Sequence, residues 1–187
     1  MAKRIGVLAV QGAFAEHEAM LSSIGAECRE LRSAADLEQK PDALVLPGGE
    51  STVQRKLLME SGMLAPIKSW IEEDMPVLAT CAGLILLAEH LSNDERTCFK
   101  TLPVTVRRNA YGRQLGSFHA YGPFGEMDNV PMTFIRAPFI TEVRRGCNVL
   151  ATCEGNIVAV QYGKQLGMAF HPELDDDNRI HELFLSL

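Results

Sequence analysis

Short apolar runs alternate with helical patterns along the first half of the chain. Three continuous apolar segments, residues 5–10, 42–46 and 75–80, are typical of parallel strands that are buried on both faces. Each is followed by a segment that favours a helix, over residues 13–24, from residue 51 onward and over residues 84–91. Strands that alternate with helices predict a doubly wound α/β sheet.

The second half of the chain has a different pattern of apolar and polar residues. Short strand-like runs, separated by Gly, Pro and Asn, occupy residues 102–106, 132–135, 149–153, 157–162 and 165–170. This pattern predicts antiparallel additions to the same sheet, followed by a final helix from about residue 177 to residue 187. Because no repeat or linker interrupts the chain, we expect residues 1–187 to form a single domain.

Composition and charge narrow the class of protein. The chain has 187 residues, is 47% hydrophobic and carries a net charge of −6, so it is globular and has no bulk positive charge for nucleic acid. The five cysteines are odd in number and include no C-x-x-C pair, which indicates a reducing compartment, the cytoplasm. Neither a targeting segment nor a membrane span is expected, because no apolar run is long enough.

The strongest chemical signal is the segment Ala79-Thr80-Cys81-Ala82-Gly83, between a predicted strand and a predicted helix. A nucleophile at such an elbow needs small residues two positions away on each side. It also lies at a helix N-terminus, where the helix dipole stabilises a thiolate. Cys81 is therefore a candidate nucleophile, and the alternative is a buried cysteine that only packs.

A candidate base lies at the end of a later strand, in Phe170-His171-Pro172-Glu173. Residues two apart in an extended segment point to the same side, so the Glu173 carboxylate can reach the His171 ring. Pro172 favours an extended conformation for the residue before it. The pair predicts an oriented base for Cys81, although a bare H-x-E is more often a chance pair in a surface loop.

Two further kinds of segment could bind substrate. The segment from Pro47 to Thr52 contains Gly48 and Gly49, whose amides could face an oxyanion; it lacks the P-loop pattern, and it also suits a tight turn with a helix cap. Arginine clusters at residues 107–113 and 135–138 could grip a carboxylate, although each is also typical of a solvated surface. The histidines and cysteines show no metal-ligand spacing, so no metal is predicted.

Six segments together resemble one family, the glutaminase subunits of pyridoxal 5′-phosphate synthase, within the class I (triad) glutamine amidotransferases. The cysteine elbow and the H-P-E pair mark the class, whereas P-G-G-E-S-T and R-N-x-x-G-R-Q are specific to the subfamily. In chain order the segments are Ala9-Val10-Gln11-Gly12-Ala13, Leu46-Pro47-Gly48-Gly49-Glu50-Ser51-Thr52, Thr80-Cys81-Ala82-Gly83-Leu84, Arg108-Asn109-Ala110-Tyr111-Gly112-Arg113-Gln114, Phe134-Ile135-Arg136-Ala137-Pro138 and Phe170-His171-Pro172-Glu173-Leu174.

The resemblance implies a flavodoxin-like three-layer α/β fold with a mixed, mostly parallel sheet. It implies a Cys81, His171 and Glu173 triad, and an oxyanion hole made by the amides of Gly49 and Ala82. It further implies that L-glutamine binds to Gly49, Glu50, Ser51, Arg108, Ile135 and Arg136. No cofactor is implied, and the ammonia would pass to a separate synthase subunit that builds pyridoxal phosphate.

Three alternatives remain at this point. Another triad amidotransferase, such as the glutaminase subunit of imidazole glycerol phosphate synthase, would share the triad but supply a different acceptor. A non-catalytic binding module would use Cys81 only for packing. A cysteine hydrolase of the peptidase or chaperone type would not need the arginine pair Arg108 and Arg136, which suits a free amino acid.

Overall fold

The computed structural model describes residues 2–111 and 116–187. Gly112, Arg113 and Gln114 of the R-N-x-x-G-R-Q segment lie outside the described residues. Within the described residues, the strands are β1 (Arg4–Leu8), β2 (Glu27–Leu31), β3 (Ala43–Leu46), β4 (Val77–Thr80), β5 (Ala88–Leu91), β6 (Leu102–Arg107), β7 (Ser117–Phe124), β8 (Met127–Ile135), β9 (Phe139–Val143), β10 (Asn148–Cys153), β11 (Asn156–Tyr162) and β12 (Gln165–Met168). The helices are α1 (Phe14–Ser23), α2 (Ser51–Glu60), α3 (Leu64–Glu72), α4 (Ala82–Leu87) and α5 (Arg179–Ser186).

A mixed sheet forms the centre of the fold, in the order β2-β1-β3-β4-β12-β11-β9-β6-β5, with β10 paired to β11. The pairs from β2 to β12 are all parallel. Beyond β12 the neighbouring pairs are antiparallel, until β6 and β5 pair in parallel at the far edge. The predicted α/β fold with a mixed, mostly parallel sheet is confirmed.

The central strands β3, β4 and β12 are buried along their whole length. Apart from Thr80 and Gln165 they are apolar, which suits strands that helices cover: α4 packs against all three, and α2 packs on α4. α1 covers β1 and β2 on its part of the sheet. Parallel strands place their carboxyl ends at one edge, which is where ligands gather in such folds.

Three expectations need correction. The apolar run 84–91 is not one helix, since the backbone leaves the helical conformation at Ala88 and continues as β5. β12 is antiparallel to β11, but on its other side it pairs in parallel with β4, inside the central sheet. β7 and β8 form a separate two-stranded sheet rather than joining the main one.

Candidate active site

Cys81 lies at a sharp turn between β4 and α4. Its backbone has φ 47° and ψ −100°, a conformation that is strained for any residue with a side chain and that recurs at functional sites. The Cys81 amide donates to the carbonyl of Met168 at 2.8 Å, and this bond ties the turn to the end of β12. The predicted elbow geometry is therefore present, with the thiol held at the carboxyl edge of the parallel strands.

Close packing explains why the elbow has a glycine two residues after the cysteine. A Cβ atom at Gly83 would lie 2.0 Å from the carbonyl oxygen of Leu46. The turn can therefore approach β3 only when position 83 has no side chain. This contact agrees with the requirement for a small residue that the sequence pattern predicted.

His171 and Glu173 follow β12, and their side chains meet as predicted. His171 Nδ1 lies 2.7 Å from Glu173 Oε1, and both residues are only 6% exposed. The amide of His171 donates to the carbonyl of Thr133 in β8 at 2.8 Å. On one side the ring packs against Gly48, where a Cβ atom would lie 2.3 Å from His171 Cε1. The imidazole is therefore fixed by both its polar and its steric neighbours.

The electrostatics favour a charged imidazole. Burial opposes the charge of His171, but hydrogen bonds from the ring to Cys81 and Glu173, with their attraction, raise its pKa to about 10. Burial likewise opposes the charge of Glu173, yet the neighbouring His17 and His171 keep the pKa of its carboxyl below the usual value. The arrangement can therefore hold a proton on His171 between a sulfur and a carboxylate.

The glycine-rich corner and the end of β8 both border the cysteine. The carbonyl oxygen of Ile135 lies 3.9 Å from Cys81 Sγ. In the corner, the Gly48 carbonyl accepts from the Ala13 amide at 3.0 Å, and the Glu50 amide donates to Gln11 Oε1 at 2.8 Å. Two segments quoted for the resemblance thus fix each other beside the candidate nucleophile.

The α2 helix begins at Ser51, as predicted, but its start differs from a Ser/Thr cap. The residue at the cap position is Glu50, and no side chain caps the helix. Ser51 itself is buried. Its position in the first turn places it in a small cleft that it shares with Arg55, Ile85 and Arg108.

The two predicted arginines differ in their surroundings. Arg108 forms an ion pair with Asp94, and its side chain is 18% exposed. Asp94 also pairs with Arg96 at 2.8 Å, and hydrogen bonds from both arginines lower the pKa of its carboxyl far below the usual value. Arg136 is exposed and has a positive φ of 44°. The structure therefore brings Arg108 to the cleft of Ser51 and leaves Arg136 on the surface beside Ile135.

Sequence reasoning missed a polar cluster on the far side of Glu173. His17 of α1 lies 3.4 Å from Glu173 Oε2 and 3.1 Å from Thr80 Oγ1, both through its Nε2 atom. Its Nδ1 atom lies 3.0 Å from Nε2 of His181 in α5. The two histidines are 164 residues apart in the chain, so a search for metal-ligand spacing could not link them.

In the part of the chain that the structure describes, no helix is both long and apolar enough to cross a membrane.

Comparisons with known proteins agree with this geometry. The sequence profile of the SNO glutamine amidotransferase family matches residues 7–187. The pyridoxal 5′-phosphate synthase subunit PdxT of Desulfitobacterium hafniense strain Y51 is 58% identical over 97% of this chain and 92% of its own. The protein of the same name from Bifidobacterium longum is 50% identical, over 97% and 99%. A crystal structure described as a glutamine amidotransferase superposes with a TM-score of 0.92 at 39% identity, covering 97% of both chains.

Proposed function

Because this chain belongs to the SNO glutamine amidotransferase family, we propose that it is the glutaminase subunit of a pyridoxal 5′-phosphate synthase. It hydrolyses L-glutamine to L-glutamate and ammonia, and a separate synthase subunit uses the ammonia. The observation that carries this proposal is the strained Cys81 elbow beside a buried His171 and Glu173, in a chain with close relatives of that name.

The first half of the reaction makes a thioester. The Cys81 thiolate attacks the side-chain amide carbon of glutamine, and the carbonyl oxygen becomes an oxyanion. His171, which favours its protonated form, donates a proton to the leaving nitrogen. The C–N bond then breaks, ammonia departs, and the glutamyl group stays on the sulfur.

The second half returns the enzyme to its starting state. Neutral His171 takes a proton from a water molecule while the water oxygen attacks the thioester carbon. The C–S bond breaks, glutamate is released, and the thiolate reforms beside a protonated imidazole. Glu173 accepts a hydrogen bond from Nδ1 throughout and stabilises the positive charge on the ring.

Backbone amides of Gly49 and Ala82 are the proposed oxyanion hole. Ala82 is the first residue of α4, and the first amides of a helix have no intrahelical partner. Gly49 follows Gly48, which touches the His171 ring. Ala82 thus directly follows the cysteine, and Gly49 is adjacent to a residue that contacts the imidazole; neither amide needs a side chain to act.

In this proposal, charged side chains of the protein bind the α-carboxylate and the α-amino group of glutamine. The cleft of Ser51 and Arg108 suits the α-carboxylate, because a guanidinium can donate two parallel hydrogen bonds to it. The main chain of Ile135, at the end of β8, contacts the cysteine. In this proposal the next residue, Arg136, adds a second cation, and Glu50 adds an anion for the α-amino group. A free amino acid, rather than a peptide, fits this set of charges.

The remaining parts of the proposal concern the whole chain. We propose that residues 1–187 fold as a single domain, because the core residues of the parallel and antiparallel parts of the sheet pack as one cluster. All five cysteines lie within residues 2–111 and 116–187, and none of them is paired there, which supports a reducing compartment such as the cytoplasm. In this proposal the chain does not use the ammonia itself, and the ammonia passes to the synthase subunit.

Glutamate release, measured with and without a synthase subunit, tests the function. We expect release at least tenfold faster in the complex with a synthase that makes pyridoxal 5′-phosphate. The synthase subunit of imidazole glycerol phosphate formation is the matched control and should have no effect. Full-rate hydrolysis by the isolated chain, or stimulation by the control subunit alone, would contradict the proposal.

A further inference from the structure

A line of buried imidazoles continues behind the carboxylate of Glu173. His17 and His181 have no exposed surface, and their ring nitrogens are 3.0 Å apart. His17 then presents Nε2 to Thr80 Oγ1 and to Glu173 Oε2. Polar groups inside a protein destabilise it unless they are hydrogen-bonded, so the orientation of each ring must follow from its partners.

Hydrogen-bond accounting selects one tautomer for His17. If Nε2 carries the proton, it faces the acceptors Glu173 Oε2 and Thr80 Oγ1, and Nδ1 accepts from His181 Nε2. The Nδ1 atom of His181, which has no partner among the described residues, is then only an unused acceptor. In the opposite tautomer, the lone pair of His17 Nε2 would face a carboxylate, and His181 would bury an unpaired N–H donor.

We propose that His17 is a positioning residue for the catalytic carboxylate. Its neutral Nε2–H hydrogen-bonds to Thr80 Oγ1 at 3.1 Å and lies 3.4 Å from Glu173 Oε2, an electrostatic contact, since that oxygen has no hydrogen-bond partner among the described residues. Attraction to this N–H keeps the carboxylate turned so that Oε1 meets His171 Nδ1 at 2.7 Å. His181 fixes the ring of His17 from the opposite side. This inference rests on the proposed glutaminase function for its kinetic consequence, but the tautomer and its position do not depend on that function.

The charges around His17 agree with a neutral donor. Burial lowers the pKa of His17; Glu173 and Glu16 attract a proton to it, whereas the nearby His171 repels one. Burial, with repulsion from His17, also lowers the pKa of His181, to about 3. Both shifts favour neutral rings, whereas His171, on the side that faces the thiol, favours its charged form.

Direct observation of the tautomer is the first test. In a long-range ¹H–¹⁵N spectrum of the wild-type chain, His17 should show a protonated Nε2 and an unprotonated Nδ1, without change between pH 6 and pH 8. The signals are assigned by their loss in His17→Gln. A protonated Nδ1 on His17, or a ring that titrates in this range, would overturn the proposal.

Matched substitutions test the kinetic role in the complex with the synthase. His17→Met removes the donor at similar volume, and we expect kcat for glutamate release to fall about tenfold with KM for glutamine within twofold. His17→Gln places an amide N–H near the same position and should restore kcat to within about threefold of wild type. The exposed His90 supplies a control, His90→Gln, with unchanged kinetics.

The outcomes separate the two proposals. Wild-type kcat in His17→Met, or equal loss in His17→Gln and His17→Met, would overturn the positioning role alone. Failure of the wild-type complex to hydrolyse glutamine would overturn the proposed function, while the spectrum would still decide the tautomer. Should His17→Met not fold, as judged by its thermal melting, the spectrum and His17→Gln still give a result.

Discussion

The parallel part of the main sheet and the separate β7–β8 sheet contribute to the proposed site in different ways. The strands β4 and β12 deliver Cys81, His171 and Glu173, which are all at least 93% buried and contact other residues of the chain. The β7–β8 sheet delivers Ile135, at the end of β8, and the following Arg136, both of which are exposed. The groups proposed for bond breaking are therefore already assembled in the folded chain, whereas the side chains of Ile135 and Arg136, proposed for recognition, are exposed and free to meet a ligand.

Loss of the Cys81 thiol, in the parallel part of the sheet, should have the largest effect on activity. We expect Cys81→Ala to lower glutamate release in the synthase complex by about 10³-fold or more, because the nucleophile is gone. Synthesis from added ammonium chloride should continue. Cys147→Ala, at a cysteine of the loop before β10, is the control and should keep full activity.

The same position also reports on strain. Because φ is positive at Cys81, Cys81→Gly should be more stable than Cys81→Ala by about 1 kcal/mol in urea unfolding, although both are inactive. Equal stability of the two variants would show that the elbow is not strained.

A methyl group added at Gly48 should displace the His171 ring without removing any functional group. The new carbon would lie 2.3 Å from the His171 ring, so the ring must shift. We expect Gly48→Ala to reduce kcat by about 10²-fold. Gly122→Ala, whose methyl would meet its nearest atom at 3.7 Å, is the matched control. Equal kcat in both variants would mean that the imidazole is not held where the contact places it.

Recognition variants should change KM rather than kcat. Removing the cation in Arg108→Met should raise KM for glutamine by about 10-fold to 100-fold, since a charge-assisted hydrogen bond to the carboxylate is lost. Arg96→Met is the control, because Arg96 shares the partner Asp94 but its side chain is 61% exposed; its KM should change less than twofold. A loss confined to kcat in Arg108→Met would place Arg108 with the chemistry instead.

The smallest expected effect is a dependence of stability on pH with two opposite limbs. Unfolded histidines take up protons below about pH 6.5, whereas folded His181, with a pKa of about 3, stays neutral. Stability therefore decreases from pH 6.5 to pH 5, by about 1 kcal/mol per pH unit. Folded His171, with a pKa of about 10, keeps its proton when the unfolded ring loses it, so stability also decreases from pH 7 to pH 9.

Urea unfolding between pH 5 and pH 9 checks both limbs. His181→Leu should make the acidic limb shallower, with the buried His17 supplying what remains, and His171→Ala should flatten the alkaline limb. Stability that does not change between pH 5 and pH 6.5 would contradict the assignment of His181, and stability that rises from pH 7 to pH 9 would contradict that of His171.

The features that could be predicted from the sequence are those that depend on residues close together in the chain. The buried strands, the elbow and the reach of Glu173 to His171 all follow from local pattern and local geometry. The edge strand β2, with the sequence Glu27-Cys28-Arg29-Glu30-Leu31, was not predicted because it has little apolar signal. The break at Ala88 was not predicted either, since apolar periodicity alone cannot separate a buried helix from a buried strand.

Contacts between distant segments account for the rest. The parallel pairing of β12 with β4 joins residues almost ninety positions apart, and nothing in residues 165–170 distinguishes it from a hairpin strand. His17 and His181 are single polar residues on helices, each unremarkable in its own segment. Only the fold reveals that both lie behind Glu173, and that Asp94 holds Arg108.

The approach of Gly83 to Leu46 and of Gly48 to His171 also bears on how this protein can change over time. At Gly83 the main chain of Leu46 fills the volume that a side chain would need, and at Gly48 the ring of His171 does so. Substitutions at these two positions should therefore not be tolerated. Gly122 in β7 has no positive φ, and an added Cβ there would meet its nearest atom only at 3.7 Å. In a library that varies positions 48, 83 and 122, survivors should diversify at position 122 and return to glycine at the other two.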